Sequence, residues 1–76
     1  MRMMIGKMEK MMLEINGEAR EIPPVSTVRE LLDFLGITET RVAVEVNRKI
    51  VRRKEWENSP ICNHDHVEIV QFVGGG

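Results

Sequence analysis

The apolar positions from residue 11 onwards predict a β-hairpin. Residues 11–15 form a short apolar stretch, and residues 18–22 follow it after the dipeptide Asn16-Gly17. Asn-Gly best tolerates the positive φ angles of a two-residue hairpin turn, so the two stretches are expected to pair antiparallel. Pro23-Pro24 should end the second strand, because neither residue has an amide hydrogen to donate to a ladder.

The next apolar positions have the spacing of a helix. They recur at i, i+3, i+4 and i+7, as Val28, Leu31, Leu32 and Leu35. This spacing is typical of an amphipathic helix with one buried stripe. Thr27 followed by Glu30 has the spacing of a capping box, and Gly36 suits the helix end. We therefore predict one short helix between Thr27 and Gly36.

The second half of the chain predicts strands again. Residues 41–46 alternate so that the three valines share one face, and a polar corner at residues 47–49 separates them from a short partner strand, Ile50-Val51. Residues 52–66 lack periodicity and predict an irregular crossing with one helical turn near residues 54–57. Residues 67–73 are strongly strand-like.

These elements together predict an α+β fold. A single helix with one apolar stripe can bury that stripe only against a sheet, so we expect a mixed sheet of four to five strands packed on one main helix. The predicted inner face of the sheet consists of Leu13, Ile15, Ile22, Val42, Val44, Val46, Val67 and Ile69. We expect one domain over residues 11–73, a flexible N-terminal extension over residues 1–10 and a flexible glycine tail over residues 74–76.

Length and charge narrow the possible functions. A chain of 76 residues forms one small domain without room for a deep substrate cavity, so a self-sufficient enzyme is not expected. Eleven basic against 12 acidic residues give a net charge of -1, which argues against a nucleic-acid binder. One cysteine permits no internal disulfide, and no segment predicts secretion or a membrane span, so we expect a cytoplasmic protein.

The candidate chemistry lies in the three glycines that end the sequence, Gly74, Gly75 and Gly76. Glycine loses the most entropy on ordering and adds no packing, so a structural purpose is hard to find. Without β-carbons the segment could thread a narrow channel and present the Gly76 carboxylate to another protein. A carboxylate reacts poorly until it is activated, so adenylation by an ATP-using partner, followed by attack of a sulfur or amine nucleophile, is the chemistry we expect.

Two longer motifs make this hypothesis more specific. Residues 47–56 read N-x-x-I-V-x-R-x-x-W, and residues 67–76 read V-E-I-V-x-F-V-G-G-G. Over residues 11–76 the chain resembles the ThiS family of sulfur carrier proteins of thiamine biosynthesis. One departure is Asn63-His64-Asp65, where that family usually has Asp-Gly-Asp. We expect His64 to adopt a slightly strained left-handed conformation without a change of fold.

The resemblance implies a ubiquitin-like β-grasp fold and a non-enzymatic carrier. It implies that Gly76 is adenylated by a ThiF-type enzyme, converted to a thiocarboxylate with sulfur from a cysteine desulfurase or another persulfide donor, and used by thiazole synthase. The carrier itself would bind no cofactor, because the partner uses the ATP. Three alternatives stay open: the small subunit of molybdopterin synthase, a ubiquitin-like modifier joined to lysines through Gly76, and a non-covalent RNA-binding module. The first alternative usually has prolines just before its diglycine, and none follows Pro60 here.

Val70 and Phe72 are the predicted partner-binding residues. Alternation places them on the opposite face of the last strand from Val67 and Ile69, where they would form, with Ala43, an apolar patch next to the tail.

Three further features have structural explanations. Cys62, His64 and His66 lack the spacing of a zinc module, so we predict no metal site, a half-buried cysteine and two turn histidines. Trp56 is expected to close one end of the core. The basic residues at 48–49 and 52–54 are expected to form a solvated rim.

Overall fold

The computed structural model describes residues 10–38 and 41–72. Its elements are β1 (Met11–Ile15), β2 (Glu18–Ile22), α1 (Val28–Phe34), β3 (Val42–Val46), β4 (Lys49–Val51), a 3-10 helix (Arg53–Glu55) and β5 (His66–Gln71). The predicted order is confirmed. β4 begins one residue earlier than expected, the short helical turn lies at 53–55, and β5 ends at Gln71. The N-terminal extension up to residue 9 and the segment 73–76 lie outside the described residues, so their flexibility stays a prediction.

The five strands form one mixed sheet in the order β2-β1-β5-β3-β4. β1 and β5 are parallel, and the other neighbouring pairs are antiparallel. This sheet with one helix has the predicted β-grasp architecture. β5 is the central strand, so its position depends on contacts with both hairpins. In the described ranges, no helix is long and apolar enough to cross a bilayer.

The core lies between the sheet and α1. Six of the eight predicted inner-face residues are buried, together with Val28, Leu31 and Leu32 of the helix, whereas Val42 and Val46 are only half-buried. The helix begins as predicted, because the Thr27 hydroxyl accepts a hydrogen bond from the Glu30 amide at 3.2 Å.

Trp56 closes the core as predicted. Its side chain is buried, and the indole N–H donates to the Val51 carbonyl at 3.2 Å. The Arg29 guanidinium lies over the ring, 5.2 Å from its centroid. The indole thus ties β4 to the irregular segment that follows it.

Candidate functional site

The candidate site is the end of β5 and the outer face of the sheet around it. One hairpin turn holds this part of β5 through a side chain. Asn16 has a left-handed backbone (φ 51°), and its amide donates to the Val67 carbonyl at 2.8 Å. Its side-chain oxygen accepts from the Ile69 amide at 2.7 Å, and its side-chain nitrogen donates to the Ile69 carbonyl at 3.1 Å. Asn16 therefore continues the β1–β5 pairing beyond the last residue of β1.

The second hairpin turn holds the start of β5 in a similar way. Asn47 is also left-handed (φ 52°), and its amide donates to the His66 carbonyl at 2.7 Å. Its side-chain oxygen accepts from the His66 amide at 3.0 Å, while its side-chain nitrogen donates to an Asp65 carboxylate oxygen at 3.0 Å. The strand that leads to the glycine tail is thus fixed from both neighbouring hairpins.

An exposed apolar patch lies on the outer face of the sheet, opposite the helix. We define the outer patch as Ala43, Ile50, Val70 and Phe72. Val70 is 53% exposed, Phe72 is 56% exposed and Ile50 is 72% exposed, and Ala43 pairs directly with Val70 across β3 and β5. The structure therefore brings Val70 and Phe72 to the face where they were predicted, next to Ala43. Their partner-binding role stays a prediction.

Ile50 was not among the predicted patch residues. The turn Asn47-Arg48 has positive φ at both residues, so Val46 pairs with Lys49 and Glu45 pairs with Ile50. This register points Ile50 outward and Val51 into the core. A two-residue turn at Asn47-Arg48 is the sequence feature that would have predicted this register. It was missed because arginine is not typical of a left-handed position.

The glycine tail itself, Gly74, Gly75 and Gly76, lies outside the described residues. Phe72 is the last described residue, and its amide donates to the Arg41 carbonyl at 2.8 Å. This bond fixes the backbone at Phe72, two residues before Gly74. Fully extended, residues 73–76 could reach roughly 10 to 14 Å from there.

The histidine and cysteine positions do not form a metal site in the described part of the chain. No three His, Cys, Asp or Glu side chains of residues 10–38 and 41–72 are placed to hold an ion. Cys62 is exposed, so its expected half-burial was wrong. His64 has φ 73°, as predicted for the turn, and His66 lies 3.7 Å from the Glu14 carboxylate.

Comparison with known proteins gives consistent results. Residues 13–76 match the model of the ThiS family. The sulfur carrier protein ThiS of Bacillus subtilis is 33% identical over 66 residues, which are 86% of this chain and 100% of that protein. A thiazole synthase of Paramagnetospirillum magneticum is 42% identical over 66 residues, and the matched region is 20% of its length. This chain thus spans about a fifth of that synthase.

A solved structure supports the same relationship. The crystal structure of the thiamine biosynthesis protein ThiS from Geobacter metallireducens superposes with a TM-score of 0.73 at 30% sequence identity. The superposition covers 87% of this chain and 100% of that one.

Proposed function

This chain belongs to the ThiS family, and we propose that it carries sulfur for thiamine biosynthesis on the carboxyl group of Gly76. The observation that supports this most is the family match, which runs from residue 13 through the three glycines to residue 76. In this proposal the folded domain is not a catalyst. It presents the carboxyl group to enzymes, and the cytoplasmic location stays a prediction.

The chemistry requires activation before sulfur transfer. A carboxylate oxygen of Gly76 attacks the α-phosphorus of ATP on a ThiF-type enzyme, pyrophosphate leaves, and an acyl adenylate forms. The persulfide of a cysteine desulfurase or another donor then attacks the acyl carbon and releases AMP. A partner thiol reduces the resulting acyl disulfide, which leaves the thiocarboxylate on Gly76 and a disulfide on the partners. The carrier needs no bound cofactor of its own.

Thiazole synthase is the proposed acceptor of the sulfur. The thiazole synthase of Paramagnetospirillum magneticum contains a segment similar to nearly all of this chain, and that of Magnetococcus marinus contains one at 35% identity. Joining a carrier-like segment and a synthase in one polypeptide keeps them at high effective concentration. This arrangement supports a working contact between the two activities.

The outer patch is the proposed docking surface for these enzymes. It is apolar and exposed, and it lies beside the end of β5, where the tail begins. An enzyme that covers Val70 and Phe72 would have the glycine segment at the edge of the contact. Docking and threading would therefore use adjacent stretches of the chain.

Intact-protein mass spectrometry tests the carrier function. The protein is first checked to end at Gly76, then incubated with its adenylating enzyme, ATP and a persulfide donor. We expect the mass change of one oxygen replaced by sulfur, and we expect none after deletion of Gly75 and Gly76. The same deletion should leave the unfolding midpoint unchanged. Conjugates to lysines of other proteins would instead support the modifier alternative, and sulfur transfer by the truncated chain would refute the proposal.

Alanine substitution tests the docking surface with a matched control. Phe72→Ala should weaken binding to the adenylating enzyme by about tenfold or more, because an exposed aromatic anchor is lost. Phe34→Ala is the control, since Phe34 is 46% exposed but belongs to the helix. Equal effects of the two substitutions would contradict docking through the outer patch.

A further inference from the structure

Two glutamates face each other beside the outer patch. Glu45 of β3 lies directly opposite Glu68 of β5, two pairs along from the pair of Ala43 and Val70. Because side chains alternate along a strand, both glutamates lie on the same outer face as Ala43 and Val70. Like charges in directly opposite positions destabilise a sheet.

The protein does not neutralise this pair in the part of the chain that the structure describes. The ion pairs there are Lys10 with Glu21, Arg29 with Asp33, and His66 with Glu14. Neither Glu45 nor Glu68 has a cationic group within 4.0 Å among residues 10–38 and 41–72. The nearest histidine on this face, His66, is directed to Glu14 at 3.7 Å.

Apolar side chains border the acidic pair on the side of the outer patch. Glu45 pairs with Ile50 of β4, the other neighbour of β3. Glu68 is two residues from Val70 on the same face of β5. A protein that covers the outer patch would therefore also remove water from these carboxylates. Desolvation of a carboxylate is costly unless a cation or hydrogen-bond donor compensates it.

We propose that the enzyme surface that covers the outer patch places an arginine between Glu45 and Glu68. This inference rests on the proposed docking function and specifies the partner's chemistry, an apolar surface with a cation facing the acidic pair. A guanidinium suits the position better than an ammonium, because its planar set of donors can bind two carboxylates at once. The acidic pair would then select between partners. A partner without the cation would bury both carboxylates uncompensated and would bind more weakly.

Opposite effects on stability and binding test the proposal. The repulsion is removed in the single variant Glu68→Gln and in the double variant Glu45→Gln/Glu68→Gln. Its loss should raise the unfolding midpoint of both variants by about 1 to 6 °C. Affinity for the adenylating enzyme and the thiazole synthase of the same organism, measured by calorimetry, should fall about tenfold for at least one of them. The dependence of that affinity on salt should become less steep. Glu18→Gln is the control, an exposed glutamate at the start of edge strand β2.

Each other outcome has a distinct meaning. If the parent binds an enzyme and the double variant binds both enzymes as tightly at every salt concentration, no cation faces the pair, and the proposal is wrong while the carrier function stands. If a chelator abolishes binding of the parent, a metal ion compensates the carboxylates, and the arginine is refuted. If the parent binds neither enzyme and acquires no sulfur, the proposed function itself fails.

Discussion

Replacing Asn16 by glycine tests whether a turn side chain stabilises the central strand. Glycine adopts the left-handed backbone of Asn16 (φ 51°) without strain, so the substitution removes the two side-chain hydrogen bonds to Ile69 and little else. Both bonds are partly buried. The amide and carbonyl of Ile69 would then depend on solvent for a partner.

The expected loss follows from the two bonds. Each hydrogen bond contributes about 0.5 to 1.5 kcal/mol net, so Asn16→Gly should lower the free energy of unfolding by about 1 to 3 kcal/mol. For a domain of this size, that corresponds to a decrease in the unfolding midpoint of roughly 5 to 20 °C. Asn16→Asp should also destabilise, because it keeps the acceptor for the Ile69 amide but sets a carboxylate oxygen against the Ile69 carbonyl.

Urea unfolding followed by circular dichroism measures the loss, and hydrogen exchange locates it. The Ile69 amide should exchange faster in Asn16→Gly than in the parent, relative to core amides such as that of Val44. Arg48→Gly is the matched control, because Arg48 is exposed and left-handed (φ 72°) with no side-chain bond to β5 among the described residues. Glycine there should leave stability unchanged or raise it by up to about 1 kcal/mol.

The reasoning would be refuted if both glycine variants changed stability equally, or if Asn16→Gly left the exchange of the Ile69 amide unaltered. In either case the side chain of Asn16 would contribute nothing to the position of the last strand.

Two further predictions concern the helix and the core. Thr27→Ala removes the oxygen that accepts the Glu30 amide, so it should cost about 0.5 to 2 kcal/mol of unfolding free energy in urea, whereas Thr27→Ser should cost less; equal losses would argue against capping. Trp56→Phe leaves the Val51 carbonyl without its indole donor and should cost about 1 to 3 kcal/mol by the same measurement, so a loss below that range would contradict a structural role for this bond.

Local sequence signals predicted most of the fold. Asn16-Gly17 determined the first hairpin, and the capping box with Gly36 (φ 75°) determined the helix. The prediction of where β5 ends was less accurate, because a strand ends where its neighbour ends. β3 begins at Val42, which pairs with Gln71. Phe72 therefore lies outside the strand and keeps only the bond from its amide to the Arg41 carbonyl.

Prediction of the candidate site required more knowledge of how the strands pair. Alternation alone placed Val70 and Phe72 outward, because that inference needs only one strand. The facing of Glu45 and Glu68 needs the β3–β5 register, which joins segments far apart in sequence. The bonds between Asn16 and Ile69 could not be predicted from the sequence either, because they form only when β5 lies beside the first hairpin.

The central position of β5 has a mechanical consequence. β5 lies between β1, which runs parallel to it, and β3, which runs antiparallel. Traction on the end of β5 acts along the strand, so the hydrogen bonds to both neighbours share the load. An edge strand would peel away one bond at a time. In the proposed function, an enzyme pulls the glycine segment into a channel and releases it, and this arrangement of strands lets the domain behind it keep its shape.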